Sequence, residues 1–253
     1  MRTAVKRLLE RAAHRRVKTI EPGAVAFIDS RTRHADWFSH DLVLERLFVS
    51  NHVNLVIDVG ANEGQFARRL RRTYAGDIMS FEPIETAFDR LRRAASGDAH
   101  WRVFRMALGN AETTATMHVA SDTVFSSLLP SNDFSRQRFR QSVVETEQIV
   151  PVKRLDDVLG PVMSARPRSR VFLKLDTQGY DLEVFRGLGT YVDKVVMMQS
   201  EVSVIPIYDG MPHWLESIAA YERAGFAVAA MFPVSHDTAG RVIEYDCVLV
   251  RKG

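Results

Sequence analysis

The chain predicts an α/β fold with a mostly parallel, doubly wound sheet, and three observations carry that expectation. Short apolar runs alternate with helix-like segments from about residue 51 onward, the pattern of successive β-α-β units. The first run, Asn54-Leu-Val-Ile-Asp58, passes directly into a turn holding two glycines, Val59-Gly60-Ala61-Asn62-Glu63-Gly64. The second run, Asp77-Ile-Met-Ser-Phe81, ends on Glu82-Pro83.

Taken in order, residues 1–50 read as a basic helix and a cap. Between Met1 and Lys18 stand Arg2, Lys6, Arg7, Arg11, Arg15, Arg16 and Lys18 against one acid, Glu10. Leu8, Leu9, Ala12 and Ala13 give this segment only a modest apolar face, and it lacks the long apolar core of a secretion signal. It is either a solvated helix or a surface that touches anionic lipid headgroups. Nucleic acid is not expected as a partner, because no aromatic side chains interleave with the basic ones. Val25–Asp29 reads as a short strand, and Asp36–Phe48 as a helix packed by Trp37, Phe38, Leu42, Leu44 and Leu47.

Residues 51–253 form the main domain. Strand 54–58 leads to helix 64–74, strand 77–81 to helix 84–95, and strand 101–106 follows. An insertion over about 111–152 pairs segments 111–119 and 145–152 antiparallel. Between them, Ser121–Pro130 and the Arg136, Arg138, Arg140 stretch occupy the place where α/β enzymes usually carry a substrate loop. Strand 171–176, helix 180–188, strand 193–201 and helix 212–225 come next. Strands 226–233 and 243–251 close the sheet, the last one reversed.

The 253 residues suit a single core with additions. No apolar run approaches the length of a membrane span. The one cysteine, Cys247, has no internal partner and fits a reducing cytoplasm. It lies in the apolar run Tyr245–Val250 and reads as a buried, inert thiol. A cytoplasmic protein is expected, with peripheral membrane contact through the basic N-terminus as the open alternative. Nothing in the sequence sets the oligomeric state.

The glycine turn narrows the ligand. A phosphate-binding P-loop needs Lys-Ser/Thr at its end, and Glu63-Gly64-Gln65-Phe66 has neither. A dinucleotide fingerprint needs Gly-x-Gly-x-x-Gly, whereas the spacing here is Gly60-x-x-x-Gly64 behind Asp58. Carboxylates at Asp58 and Glu63 disfavour a pyrophosphate and suit a ligand with cationic groups and a ribose, such as S-adenosylmethionine. A carboxylate at the tip of strand two, Glu82, is placed to grip a ribose diol. An NAD-dependent oxidoreductase is the rival enzyme, and a non-catalytic binding subunit is the rival outside enzymes.

Several segments stand together in a familiar order: Ile57–Phe66, Phe81-Glu82-Pro83, Ala107-Leu108-Gly109, Ser126-Ser127-Leu128, Leu155-Asp156-Asp157 and Lys174–Val184. With these, the chain from about Asn51 to Val250 resembles the FkbM family of S-adenosylmethionine-dependent methyltransferases. The resemblance implies a Rossmann-like class I methyltransferase fold and methylation of a sugar or polyketide hydroxyl. It also implies cofactor contacts from Asp58, Gly60, Ala61, Asn62, Glu63, Gly64, Phe81, Glu82, Pro83, Ala107 and Leu108, with Ser126, Ser127 and Asp176 nearby. One departure stands out: Thr177-Gln178-Gly179 replaces the family's usual Val-Glu-Gly and removes a carboxylate.

Methyl transfer to an alcohol requires a positioned oxygen and a base or metal to take its proton. In an open α/β sheet the ligand lies beyond the carboxyl ends of the strands. Asp176 ends one such strand and Glu201 the next, so the two are expected side by side, each raising the other's pKa. Lys174 is expected to pair with Asp176 or Glu183. Such a carboxylate pair could also hold Mg²⁺, but no third ligand appears at matching spacing and no metal site is assigned. His213, or His34 or His40 from the cap, is the alternative base. The expected acceptor is a small molecule or glycolipid bearing a sugar hydroxyl.

Overall fold

The computed structural model describes residues 15–21, 24–29 and 39–253. It divides into two units, Met1–Leu47 and Phe48–Gly253. In the first, β1 (Arg15–Glu21) and β2 (Ala24–Asp29) pair as an antiparallel hairpin. The strand at 24–29 matches expectation; the strand at Arg15–Glu21 corrects it, because the basic helix was expected to reach Lys18. Val17, Thr19 and Ile20 are β-branched and favour an extended chain. Residues 1–14 of the basic segment, with Trp37 and Phe38, lie outside the described residues. Helix α1 (His40–Ser50) begins in this unit and continues into the second.

The second unit is built on a seven-stranded sheet. Its strands are β3 (Leu55–Val59), β4 (Asp77–Phe81), β5 (Trp101–Phe104), β9 (Val171–Leu175), β10 (Val195–Ser203), β11 (Phe226–His236) and β12 (Val242–Arg251). Their spatial order is β11-β12-β10-β9-β3-β4-β5. All neighbours from β10 to β5 are parallel, and β12 runs antiparallel to both β10 and β11. This is the expected doubly wound sheet with a reversed last strand. Every residue of β3 and β9 is buried, which is why both read as unbroken apolar runs. Each run holds one charge, Asp58 and Lys174, and the register sets these two opposite each other.

Helices flank the sheet: α2 (Gln65–Leu70), α3 (Glu85–Ala95), α5 (Leu155–Ala165), α6 (Asp181–Arg186) and α7 (Trp214–Arg223). Pro83 and Glu85 suit the start of α3, and Ala87, Leu91 and Ala95 fall on its buried face at helical spacing. Helix α5 was not anticipated. Gly160 and Pro161 lower its helical signal, yet Leu155, Leu159 and Met163 still make a buried stripe.

The expected insertion is a three-stranded sheet, β6 (Ala107–Gly109), β8 (Val144–Arg154) and β7 (Thr113–Ala120), in that order. Strands β7 and β8 pair antiparallel, and a short helix, α4 (Asp133–Arg138), lies between them in sequence. Ile84, Ala107, Met117, Val150 and Val152 form its apolar contact with the main domain. Among the described residues no helix is long and apolar enough to cross a membrane.

Candidate active site

The sheet has a switch point at β3, where the chain winds toward β4 and β5 on one side while β9 and β10 lie on the other. Ligands bind at such a point, outside the carboxyl ends of the strands. A cavity of about 570 Å³ opens there, a size that suits a small-molecule site. It is lined by the ends of β3, β4, β9, β10 and β12 and by the insertion.

The turn after β3 is held by its own amide hydrogens. Gly60 and Ala61 N–H both donate to the Phe81 carbonyl, at 3.1 and 3.0 Å, and Gly64 N–H donates to Ala61. Asn62 N–H donates to Glu82 Oε2 at 2.8 Å, and Glu63 N–H to Gln65 Oε1 at 3.1 Å. All five N–H groups of residues 60–64 are thus committed, so the loop does not present the amide cradle that a pyrophosphate requires. Gly60 has φ 74°, and a Cβ on it would stand 1.9 Å from the Asp176 carbonyl oxygen. Glycine is required because the turn after β3 passes close against the main chain that follows β9.

Glu82 is 4% exposed and lines the cavity. Its second oxygen accepts from Ile84 N–H at 2.8 Å. Burial outweighs these two bonds and pushes its carboxyl up to about 7. A rigid carboxylate at the tip of β4 is the feature expected for a ribose diol.

Gly60, Ala61, Asn62, Phe81, Glu82, Pro83, Ala107, Leu108, Ser126, Asp176 and Glu201 all line this one cavity. Five expected residues do not. Asp58 is fully buried within the sheet, accepting from Ser80 Oγ at 3.0 Å with Lys174 Nζ 3.4 Å away. Burial raises its pKa despite Lys174. Glu63 turns outward to an ion pair with Arg90. Gly64, with φ 83°, leaves space for the Trp101 and Leu91 side chains. Ser127 Oγ donates to the Gln178 carbonyl at 2.6 Å. His213 caps α7 and lies against Trp214. Of the alternative histidines, His34 lies outside the described residues and His40 opens α1 in the N-terminal unit.

Another part of the lining is acidic. Lys174 Nζ is 3.0 Å from Asp176 Oδ2, so it joins Asp176 to Asp58; Glu183 pairs with Arg186 instead. Burial works against the Lys174 charge, but Asp176 and Asp58 outweigh it and hold its pKa above the usual range. Asp176 and Glu201 are brought together through the Gln178 amide, whose nitrogen donates to Asp176 Oδ1 at 3.2 Å and to Glu201 Oε2 at 2.7 Å. Glu201 is held well above the usual carboxyl range by burial, then by Glu244 and Asp176. Glu244, whose carboxyl burial pushes up to about 7, and Asp246 join the same wall. Sequence reasoning missed both, although acids two apart in an apolar strand share one face. It also missed Asp181, which accepts from Thr177 and Ser200 and from Glu201 N–H, and so pins α6 to β10. Thr123 Oγ1 donates to Asn62 Oδ1 at 3.1 Å, linking the insertion to the glycine turn.

A family model described as the methyltransferase FkbM domain matches residues 58–228. The chain belongs to the FkbM methyltransferase family. It is therefore a methyltransferase that uses S-adenosylmethionine. No curated protein matches its sequence. Among solved structures it is similar to an rRNA methylase from Streptococcus thermophilus, at 10% identity over 84% of this chain and 96% of that one, with TM-score 0.45. It is also similar to magnesium protoporphyrin IX methyltransferase from Synechocystis with bound S-adenosylmethionine, at 11% identity over 84% and 77% of the chains, with TM-score 0.45.

The site of this methyltransferase fits that cofactor. A buried carboxylate, Glu82, stands at the tip of β4 on the cavity lining, where a ribose diol would be held. Among the described residues no three His, Cys, Asp or Glu side chains are grouped to hold a metal ion, so no ligand set for Mg²⁺ is assigned.

Proposed function

We propose that this methyltransferase is an O-methyltransferase acting on a hydroxyl of a sugar or of a glycosylated, lipid-linked metabolite. The observation that carries this reading is the pair Asp176 and Glu201, bridged by Gln178 in the same cavity as Glu82. When bound, S-adenosylmethionine supplies an electrophilic methyl group on a sulfonium. Glu82 and the turn at Gly60–Asn62 hold the nucleoside side. Asp176 and Glu201 accept hydrogen bonds from acceptor hydroxyls, fix the reacting oxygen and take its proton as it attacks. Glu244, Asp246 and Ser235 extend this polar wall and suit an acceptor with several hydroxyls.

The lipid-linked part of the reading is supported by the basic segment Met1–Lys18, which suits an enzyme working in the cytoplasm beside anionic headgroups. A second reading, a polyketide or other small-molecule hydroxyl, is favoured by the apolar side of the cavity. There Met117, Val124, Phe125, Leu128 and Phe139 line the cavity, and Phe125 and Phe139 pack with ring centroids 5.2 Å apart. Mass spectrometry of glycolipids and small metabolites from a deletion strain separates the two. The proposal expects a glycolipid lighter by one methylene. A lighter aglycone favours the second reading, and unchanged profiles in both fractions overturn the hydroxyl assignment.

A further inference from the structure

Gln178 is the point where the acceptor-facing carboxylates, the turn after β9 and the insertion meet. Its backbone is left-handed, with φ 53°, followed by Gly179 at φ 92°, a conformation that side chains rarely adopt. Its carbonyl accepts from Ser127 Oγ at 2.6 Å. Its side-chain oxygen lies 2.8 Å from the hydroxyl of Tyr208, which is also 2.9 Å from the Phe125 carbonyl. With Oε1 accepting from Tyr208, the amide presents its NH₂ end to the acids, where it reaches Asp176 and Glu201.

The charges around it explain why an amide suits this place. Asp176 and Glu201 are joined on the cavity wall by Glu244 and Asp246 from β12, and Asp246 is the register partner of Glu201. Buried Asp181 adds another acid, its Oδ2 bonded to Glu201 N–H. The cation that faces this group, Lys174, is shared between Asp58 and Asp176. A carboxylate at 178 would add an anion and remove both donors.

We propose that Gln178 is a positioning residue of methyl transfer. Its amide holds Asp176 and Glu201 toward the acceptor and ties their placement to the insertion through Tyr208 and Ser127. The inference rests on the reading in which these two carboxylates face the acceptor.

The test is carboxyl-¹³C NMR titration of wild-type protein, Gln178→Met and Gln178→Glu, each with and without saturating S-adenosylhomocysteine. Methionine has a similar length and the same backbone requirement but donates nothing. Loss of a donor to its ionised form should raise the Glu201 midpoint, corresponding to about tenfold tighter proton binding. Affinity for S-adenosylhomocysteine should stay within about threefold, because the Gln178 amide bonds Asp176, Glu201 and Tyr208 rather than Glu82. Gln178→Glu should shift the midpoint at least as far. An unmoved midpoint in either variant, whatever its thermal stability, would reduce Gln178 to a turn residue and overturn the inference. Failure of the wild type to bind S-adenosylhomocysteine would instead count against the cofactor site, and the ligand-free titrations would still decide the role of Gln178.

Discussion

At the β3–β4 end of the cavity the turn is fixed by main-chain N–H groups, whereas at the β9, β10 and β12 end the lining carries a cluster of acidic side chains. The first end is a closed loop of backbone hydrogen bonds around one buried carboxylate, Glu82. The second is a set of acids from three strands, bridged by Lys174 and Gln178. On the proposed reading the first end takes the cofactor and the second the acceptor, so substitutions among the acids should change the acceptor while leaving the glycine turn in place.

The largest expected effect comes from joining the two ends by force. Gly60→Ala would place a Cβ 1.9 Å from the Asp176 carbonyl at φ 74°. It should cost roughly 3 kcal/mol in chemical denaturation and abolish cofactor binding, since both walls must move.

Asp176→Asn should separate the ends. Methylated product in a complemented deletion strain should fall by about 100-fold, with S-adenosylhomocysteine affinity within about threefold. A matching loss of affinity would mean that Asp176 belongs to the cofactor end.

Glu82→Gln should do the reverse and weaken S-adenosylhomocysteine by about 10- to 100-fold, the worth of hydrogen bonds to a charged acceptor. In the wild type, the ionised Glu82 carboxylate predominates only above about pH 7, so cofactor affinity should decline as pH falls through that value. Stability runs the other way. The folded pKa lies above the ordinary 4.5, so the folded state keeps the Glu82 proton after the unfolded state has lost it. The stability of the ligand-free protein should therefore fall as pH rises from about 4.5 to about 7. Glu82→Gln should remove that part of the slope in urea titrations, and Glu244 will retain its own share.

Glu63→Ala should do least. Its ion pair with Arg90 is at the surface, so stability should change by no more than about 0.5 kcal/mol and cofactor affinity should be unchanged. A large loss would return Glu63 to the cofactor contacts.

The same contrast decides what was legible in the sequence. The alternation of strands and helices follows from the apolar runs, and the glycine turn and Glu82 are contiguous signals. Charge at Asp58 and Glu63 was misleading, because neither side chain's partner is visible in a linear sequence: Lys174 and Arg90 meet them only in the fold. The acidic wall depends on strand register, which places Asp246 opposite Glu201 and Glu244 opposite Ser203. Gln178 showed only as a missing carboxylate; its meaning lies in the four atoms it bonds. His213 looked available beside a glycine turn, yet its position as the cap of α7 leaves it outside the cavity lining.

Calorimetric titration of S-adenosylhomocysteine into the wild type, Glu82→Gln and Asp176→Asn tests the division of the cavity most directly. Wild type and Asp176→Asn should bind with nearly equal affinity, and Glu82→Gln at least about tenfold more weakly. Equal binding by all three, or binding of NAD in place of S-adenosylhomocysteine, would contradict it.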